Sequence, residues 1–442
     1  MLLEFRAKNY KSFKEEFIFS MTPAPKQKGL DYSILSEKIG RKKYKGLATA
    51  IIYGTNASGK TNIIGAMDTF RSIMLRGNIR NNVDKNVPNA ASNALELIPN
   101  NTDTTCSPVD FFIKFIESDM VFEYMVSIEI GNFLEVNHKR KILSESLKIN
   151  EETIFFRKRT LEFGSFLVIK DYLVNEFQQN ENSAISLAKS NLNDEELFLM
   201  NGFKNMFSAK IPMLISNWLD NKFMVIYRAD SIHLIRKFSD PKKESIYIEK
   251  TINDAACYFG INSNALGYVV PDEDSEAKLC SLFKNSKKDE GTALSADIFE
   301  SYGTIRFINI FPLVISAILN GSTLVVDEFD ASIHPMALMS IINIFHNDNI
   351  NINHAQLIFN THNPIFLNSN LFRRDEIKFV ERDDQTHYST HYALSDFGTT
   401  GDMGVRKHED YMKNYFVNRY GAIKDIDFTP IFEELLKDQK EV

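Results

Sequence analysis

The sequence predicts an α/β protein built around a parallel β-sheet, with an antiparallel subdomain and a mostly helical insertion. Three observations lead to this fold class. Apolar runs without alternation, at residues 47–54 and 323–326, are typical of strands buried in a parallel sheet. Residues 109–149 alternate apolar and polar side chains, as antiparallel strands do. Residues 193–223 carry apolar side chains at helical spacing.

The composition is that of a globular, intracellular protein. The chain has 442 residues, which favours two or three lobes, and its 44% hydrophobic and 25% charged residues are ordinary values. The sequence has no uncharged apolar run of about 18 residues and no apolar core near its start, so we expect neither a membrane span nor a signal peptide. Three widely separated cysteines indicate a reducing compartment, and we expect a cytoplasmic location.

The charge distribution leaves the question of nucleic-acid binding open. The net charge of -7 gives no global basic footprint. Residues 1–60, however, carry 12 lysines and arginines against 5 acidic residues, including the string "GRKKYKG". This basic region could face phosphates, or it could be a solvated loop.

Changes in pattern divide the chain into three parts. Residues 1–150 combine the first apolar strand with the alternating strands, and residues 151–290 have helical periodicity. Residues 291–442 return to apolar strands and end in a short amphipathic helix. No heptad pattern or internal repeat is sustained, so a long coiled coil is not expected.

The string "GTNASGKT" matches the spacing G-x-x-x-x-G-K-[ST] and predicts a phosphate-binding loop. An apolar strand precedes it, and a helix with apolar residues on one face follows it, as this motif requires. The backbone N–H groups and the helix N-terminus would hold phosphate, Lys60 would reach the β- and γ-phosphates, and Thr61 would bind Mg²⁺. The predicted ATP-binding residues here are Gly54, Thr55, Asn56, Ala57, Ser58, Gly59, Lys60, Thr61 and Asn62.

Two further strand ends supply candidate catalytic groups. In "TLVVDE", Asp327 is expected to hold a Mg²⁺-bound water, and Glu328 to act as the general base for the attacking water. In "FNTHNP", His362 follows a third buried strand, where its ring could sense the γ-phosphate. A lone histidine is more often structural, so this assignment depends on the neighbouring motifs.

These motifs occur in a recognisable order: "NYKSF", "GTNASGKT", a long insertion, "ESYGT", "TLVVDEFDASIHP" and "FNTHNP". In this order the chain resembles the ABC-type ATPase heads of the SMC, RecF and OLD group. Within that group it is similar to AAA-family ATPases of bacterial phage-defence and abortive-infection systems, of the RloA, AbiL and AriA types. The resemblance covers roughly residues 1–150 and 290–400, and it implies an ABC-ATPase head with a mixed sheet around the phosphate-binding loop.

The resemblance also implies that two subunits share each nucleotide. Ser301, Gly303 and Thr304 of "ESYGT" would cap the γ-phosphate bound by the partner, because they precede a helix N-terminus. Asp330, Ser332 and His334 would belong to the loop between subunits, with a structural role for His334 equally open. Glu300 and Tyr302 replace a leucine and a glycine of the transporter signature, so rapid turnover is not expected.

The functional expectation is therefore a slow ATPase that forms a homodimer or higher oligomer around ATP and Mg²⁺. By resemblance, it senses a phage-derived trigger and controls a separate toxin or nuclease, with residues 151–290 as the partner surface. The alternative is a RecF-type ATPase that binds DNA directly through the basic region. After "FNTHNP" too few residues follow for the Toprim nuclease domain of the OLD proteins, so we expect no nuclease within this chain.

Overall fold

The computed structural model describes residues 1–25, 27, 29–80, 95–102, 105–133, 135, 138–227, 246–269, 277–284, 291–400 and 404–438. The strands are β1 (Leu2–Lys8), β2 (Phe17–Ser20), β3 (Ile34–Ile39), β4 (Lys42–Leu47), β5 (Thr49–Tyr53), β6 (Val109–Glu117), β7 (Met120–Glu129), β8 (Lys141–Ile149), β9 (Glu152–Arg157), β10 (Leu161–Phe163), β11 (Phe223–Ile226), β12 (Ile246–Tyr247), β13 (Ala265–Val269), β14 (Lys278–Lys284), β15 (Gly291–Ser295), β16 (Thr323–Val326), β17 (Gln356–Asn360), β18 (Ile377–Arg382) and β19 (Ser389–Ala393). The α-helices are α1 (Lys60–Arg76), α2 (Asn175–Gln179), α3 (Glu181–Ser190), α4 (Lys204–Met206), α5 (Lys210–Asn217), α6 (Lys250–Phe259), α7 (Ala296–Phe299), α8 (Tyr302–Asn320), α9 (Pro335–Phe345), α10 (Tyr411–Phe416) and α11 (Thr429–Asp438).

A six-stranded mixed sheet forms the centre of the protein, in the order β11-β16-β17-β5-β18-β19. Its strands pair in parallel except for β18 and β19. Every residue of β5, β16 and β17 is buried, which explains why these strands have no polar alternation. Since β16, β17 and β5 are neighbours, the loops that follow them meet at one edge of the sheet.

A seven-stranded antiparallel sheet packs beside the central sheet, in the order β10-β9-β8-β7-β6-β1-β2. Helix α1 lies between the two sheets and contributes to the core on its apolar face. The ring of Phe70 on α1 lies 5.8 Å from that of Phe5 and 6.0 Å from that of Phe111. This packing fixes the direction of α1, and with it the position of the loop that precedes the helix.

Residues 151–290, predicted as a mostly helical insertion, contain strands as well as helices. Strands β9 and β10 extend the antiparallel sheet, and β11 pairs with β16 in the central sheet. Strands β12 to β15 form a separate four-stranded antiparallel sheet. Helical segments do fill much of residues 167–222, where apolar residues recur at helical spacing. The strands were missed because they are two to seven residues long, too short for periodicity to identify them. Parts of the predicted insertion, at 228–245, 270–276 and 285–290, lie outside the described residues.

Helix α8 is long and apolar enough to cross a membrane by length and composition, and among the described residues no other helix is. One face of this helix is buried in the core around the central sheet, at Phe307, Ile308, Ile310, Val314 and Ala317. Arg306, within the same helix, donates to the carbonyl oxygen of Glu328 through Nη2 at 2.6 Å. These contacts are those of a core helix. It connects the segment "ESYGT" (residues 300–304), called the signature segment below, to the end of β16.

Candidate nucleotide-binding site

The predicted phosphate-binding loop joins the end of β5 to the start of α1, and its glycines are required by its geometry. A Cβ atom on Gly54 would lie 2.3 Å from the carbonyl oxygen of Val380. Gly59 has a φ of +112°, a conformation that side chains rarely allow, and it begins α1 without a side-chain cap. The first N–H groups of α1 are therefore left for a ligand.

Lys60 folds back over this loop. Its Nζ atom donates to the carbonyl oxygens of Gly54 and Thr55, both at 2.8 Å. Burial lowers the pKa of the Lys60 ammonium to about 8, and the carboxylates of Asp327 and Glu328 offset part of this shift. At neutral pH the group is still mostly charged, so it can exchange these carbonyl contacts for phosphate oxygens.

Thr61 and Asp327, the two predicted Mg²⁺ ligands, are in contact with each other. The Thr61 hydroxyl donates to Oδ1 of Asp327 at 3.1 Å, across a sequence separation of 266 residues. Asn360 Nδ2 donates to the same carboxylate oxygen at 2.5 Å and holds it in place. A hydroxyl and a carboxylate oxygen are the hard ligands that Mg²⁺ prefers, with phosphates and water completing its shell. The donor set therefore fits Mg²⁺, although the described residues contain no cluster of three or more acidic, His or Cys ligands.

Glu328 adopts a backbone conformation that two contacts hold. Its φ is +49°, which is uncommon for a residue with a side chain. Its N–H donates to Oδ1 of Asn360, and its carbonyl oxygen accepts from Arg306. This geometry turns the Glu328 side chain into the same cavity as Lys60 and His362.

His362 and Asp330 lie beside this cavity, and both have shifted pKa values. Partial burial, and then the charge of Lys60, lower the pKa of His362 below its usual value, so its ring is neutral at neutral pH. Burial raises the pKa of Asp330, which accepts from the Thr361 hydroxyl at 2.5 Å. A neutral ring can still donate one N–H to a phosphate oxygen.

The signature segment and residues 330–334 of the loop after β16 do not line this cavity. Ser301 caps α8, and its Oγ accepts from the Thr304 N–H at 3.1 Å. His334 likewise caps α9, because its Nδ1 accepts from the Met336 N–H at 3.2 Å. The role of both segments toward a nucleotide on a second chain stays a prediction.

Gly303 and Ser332 bring these two segments into contact. A Cβ atom on Gly303 would lie 2.2 Å from the carbonyl oxygen of Ser332, whose own φ is +61°. The sequence predicts that Gly303 admits a nucleotide. In the structure the missing side chain also has a role within the chain, since it allows α8 to pack on the Ser332 backbone.

Comparison with models of known protein families identifies the family of this chain. Residues 50–368, more than half of the sequence, match the family described as "AAA domain, putative AbiEii toxin, Type IV TA system". The chain belongs to this AAA-domain family. This membership supports an ATPase with a phosphate-binding loop, and the mixed sheet around that loop gives the chain an ABC-ATPase-like α/β fold.

Solved structures similar to this AAA-domain protein include SMC heads. The SMC head domain from Thermotoga maritima is 11% identical, with 89% of this chain and 98% of that chain covered and a TM-score of 0.35. An SMC head solved bound to the C-winged helix domain of ScpA is 10% identical, with coverages of 90% and 99% and a TM-score of 0.38. The comparison with curated proteins returned no match.

The cavity of this AAA-domain protein, about 450 Å³, also contains residues that sequence reasoning missed. Ser12 Oγ accepts from Asn62 Nδ2 at 2.7 Å and so holds the end of the phosphate-binding loop. Lys11 lines the cavity while paired with Glu96 at 2.6 Å. Asn360 contacts the Asp327 carboxylate and the Glu328 N–H. It lies at the strand end in the string "FNTHNP", and this position is the sequence signal that could have identified it. The other missed lining residues are Ile98, Pro99, Asn101, Phe133 and Arg382.

Proposed function

We propose that this protein is an ATP-binding and ATP-hydrolysing switch that works as a dimer in bacterial antiphage defence and controls a separate toxin or nuclease in the cytoplasm. One observation carries the proposal. Residues of the phosphate-binding loop and Glu328 line one cavity, and Thr61 of that loop contacts Asp327. Ser301 and Thr304 lie outside this cavity, at the capped start of α8. The family description, which names a toxin of a type IV system, supports the defence role.

Nucleotide binding begins at the uncapped N-terminus of α1. The triphosphate takes over the N–H groups after Gly59, and Lys60 leaves the carbonyl oxygens of Gly54 and Thr55 for the β- and γ-phosphates. Thr61 and Asp327 would hold Mg²⁺, which when bound neutralises charge between these phosphates. The contact between the Thr61 hydroxyl and the Asp327 carboxylate already brings both oxygens together.

Hydrolysis needs a base that is fixed in direction. Glu328 accepts a proton from the attacking water, and its backbone contacts with Asn360 and Arg306 keep the carboxylate in the cavity. The neutral ring of His362 donates to the γ-phosphate. Ser301 of the partner subunit closes the site from the other side, so hydrolysis requires the dimer. The lifetime of the ATP-bound dimer therefore determines how long the switch stays in its ATP-bound state.

The test is Glu328→Gln, which keeps the shape of the side chain and removes the base. ATP affinity should stay within about twofold, hydrolysis should fall about 100-fold or more, and an ATP-bound dimer should accumulate. Glu433→Gln, on α11, is the control and should behave like the unaltered protein. Normal hydrolysis by Glu328→Gln, measured as phosphate release, would refute the assignment of the base.

The effector surface is proposed to lie beside the four-stranded sheet. Tyr258 on α6 is 95% exposed and Ile298 on α7 is 83% exposed, although both are large apolar residues. Tyr258→Asp and Ile298→Asp should abolish co-purification with the product of the adjacent reading frame while ATP binding persists. Leu167→Asp, at a site 81% exposed in another part of the chain, is the matched control. Unchanged co-purification in all three variants would move the effector surface elsewhere.

A RecF-type DNA-binding function has one observation in its favour. Lys38, Lys43 and Lys45 are exposed on the hairpin of β3 and β4, and register places Lys38 directly opposite Lys43. Salt-dependent DNA binding by the purified protein, lost on changing these lysines to serine, would favour this alternative. Binding that is absent at 50 mM salt would leave the switch as the better description.

A further inference from the structure

The buried carboxylate of Glu300 connects the signature segment to the four-stranded sheet. Glu300 is only 8% exposed, although it lies directly before Ser301. Its carboxylate accepts three hydrogen bonds: from the Asn262 N–H at 2.9 Å, from the Ser263 hydroxyl at 2.7 Å and from the Ser281 hydroxyl at 3.0 Å. All three donors are neutral, and all three belong to the four-stranded sheet or to the loop leading into it.

Further contacts between the same two parts surround this carboxylate. Asn262 Nδ2 donates to the Phe299 carbonyl oxygen at 3.1 Å, and the Thr304 hydroxyl donates to the Gly260 carbonyl oxygen at 3.4 Å. The ring of Phe259, at the end of α6, stacks on that of Phe307 on α8 with centroids 4.4 Å apart. The loop between α6 and β13 is therefore connected to the start of α8 by several contacts.

The signature segment is held from its other side by the loop after β16. Gly303 packs on the carbonyl oxygen of Ser332, and Arg306 one turn later donates to the carbonyl oxygen of Glu328. Ser301 thus lies between two contacts, one with the four-stranded sheet through Glu300 and one with the catalytic strand end. A shift of the sheet must displace Ser301, because a buried carboxylate is costly to separate from its donors.

We propose that Glu300 is a positioning residue that sets Ser301 for the partner's nucleotide, so that the four-stranded sheet controls ATP-dependent dimerisation. The inference rests on the proposed function, because it assumes a dimer closed around ATP. It adds that a partner bound to the sheet acts on the nucleotide site through hydrogen bonds from Asn262, Ser263 and Ser281. The leucine of the transporter signature could not make these bonds at this position.

The experiment measures dimerisation with ATP in the Glu328→Gln background, by sedimentation equilibrium. Glu300→Ala should raise the dimer dissociation constant about tenfold or more, as expected for loss of one coupling contact. The dissociation constant of a fluorescent ATP analogue for single subunits should change less than about twofold, since Glu300 does not touch that cavity. A merely structural role would lower both affinities together.

Two milder variants and one control complete the design. Glu300→Gln keeps one acceptor oxygen and should lie between the parent and Glu300→Ala, and Ser281→Ala removes one donor if Glu300→Ala does not fold. Asn253→Ala is the matched control, because Asn253 Oδ1 accepts from the Leu266 N–H at 2.8 Å within the same unit without touching Glu300. This control should leave the dimer unchanged.

The outcomes separate this inference from the proposed function. Weaker dimers in the Glu300 and Ser281 variants, with Asn253→Ala unchanged, support the inference. Unchanged dimers in the folded Glu300 and Ser281 variants, or an equal loss in Asn253→Ala, overturn it. A Glu328→Gln parent that forms no dimer with ATP overturns the proposed function itself, and with it the role given to Glu300.

Discussion

Two helix N-termini, one from each subunit of the proposed dimer, are proposed to contact the same phosphate, but they differ in how they begin. Helix α1 starts after Gly59, which has a positive φ and provides no side-chain cap, and the first residue of the helix, Lys60, is buried. Helix α8 starts at Ser301, whose own hydroxyl oxygen already accepts from the Thr304 N–H. The first terminus leaves N–H groups for an anion. At the second terminus, the Ser301 hydroxyl of the same chain already accepts one of these hydrogen bonds.

This difference indicates that the two helix N-termini have different roles toward the nucleotide. The α1 terminus is prepared to bind a triphosphate, because Gly59 provides no side-chain cap for the first N–H groups of the helix. The α8 terminus gains little from an anion alone, so Ser301 must contribute its O–H and its position. We therefore expect the first site to determine nucleotide affinity and the second to determine dimerisation and turnover.

The largest effect should come from Lys60→Ala. The variant loses the charge beside the phosphates, so ATP affinity should fall about 100-fold or more. Isothermal calorimetry with the purified protein measures this loss. Lys43→Ala, an exposed lysine of β4, is the control and should bind ATP normally. If Lys60→Ala bound ATP with near-normal affinity, the claim that the α1 terminus determines nucleotide affinity would be wrong.

The next effect should come from Ser301→Asp. Aspartate also caps helices well, so α8 should remain intact, but its charge would repel the partner's triphosphate. ATP affinity of single subunits should change less than about twofold, while hydrolysis at high protein concentration should fall about tenfold or more. Phosphate release and analogue binding are the two measurements. An equal loss of both would place Ser301 at its own chain's nucleotide.

A pH dependence of about tenfold should follow from Lys60. The pKa of Lys60 is lowered to about 8, so its charge is present below that pH and is lost as the pH rises through it. If only the charged form binds ATP, the dissociation constant should rise about tenfold between pH 7 and pH 9. Lys60→Arg stays charged and should show a flat profile over this range. Parallel profiles for the two proteins would assign the pH dependence to another group.

The smallest effect should come from Ser301→Ala. Removal of the cap should lower the free energy of unfolding by about 1 kcal/mol, as measured by urea denaturation. Ser340→Ala on α9 caps no helix and should be close to neutral. A loss well above that of a cap would mean that Ser301 supports the fold through contacts other than the one with Thr304.

Sequence alone predicts the part of the site whose residues are near one another in the chain or follow buried strands. The phosphate-binding loop and the two acids that follow β16 have local motifs, and the parallel sheet brings the ends of β5, β16 and β17 together. Ser12 and Lys11 could not be predicted as lining residues, because their position depends on the packing of the antiparallel sheet. The contact with Asn62 spans 50 residues without a motif.

The four-stranded sheet shows the second limit. Its strands are short, so the apolar spacing of the sequence predicts a continuation of the preceding helices instead of a sheet. Glu300 appeared only as a departure from the transporter signature, because its three donors lie 19 to 38 residues away. A buried carboxylate can be recognised only when the structure shows the hydrogen-bond donors that replace its contacts with water.

The most direct test of the shared nucleotide site mixes two impaired variants, Lys60→Ala and Ser301→Asp. A mixed dimer has one site in which the intact phosphate-binding loop of one chain faces the intact Ser301 of the other. Specific ATPase activity should therefore recover to about a quarter of the unaltered value, since about half of the dimers are mixed and each has one intact site. A mixture no more active than the two variants measured separately would contradict the account.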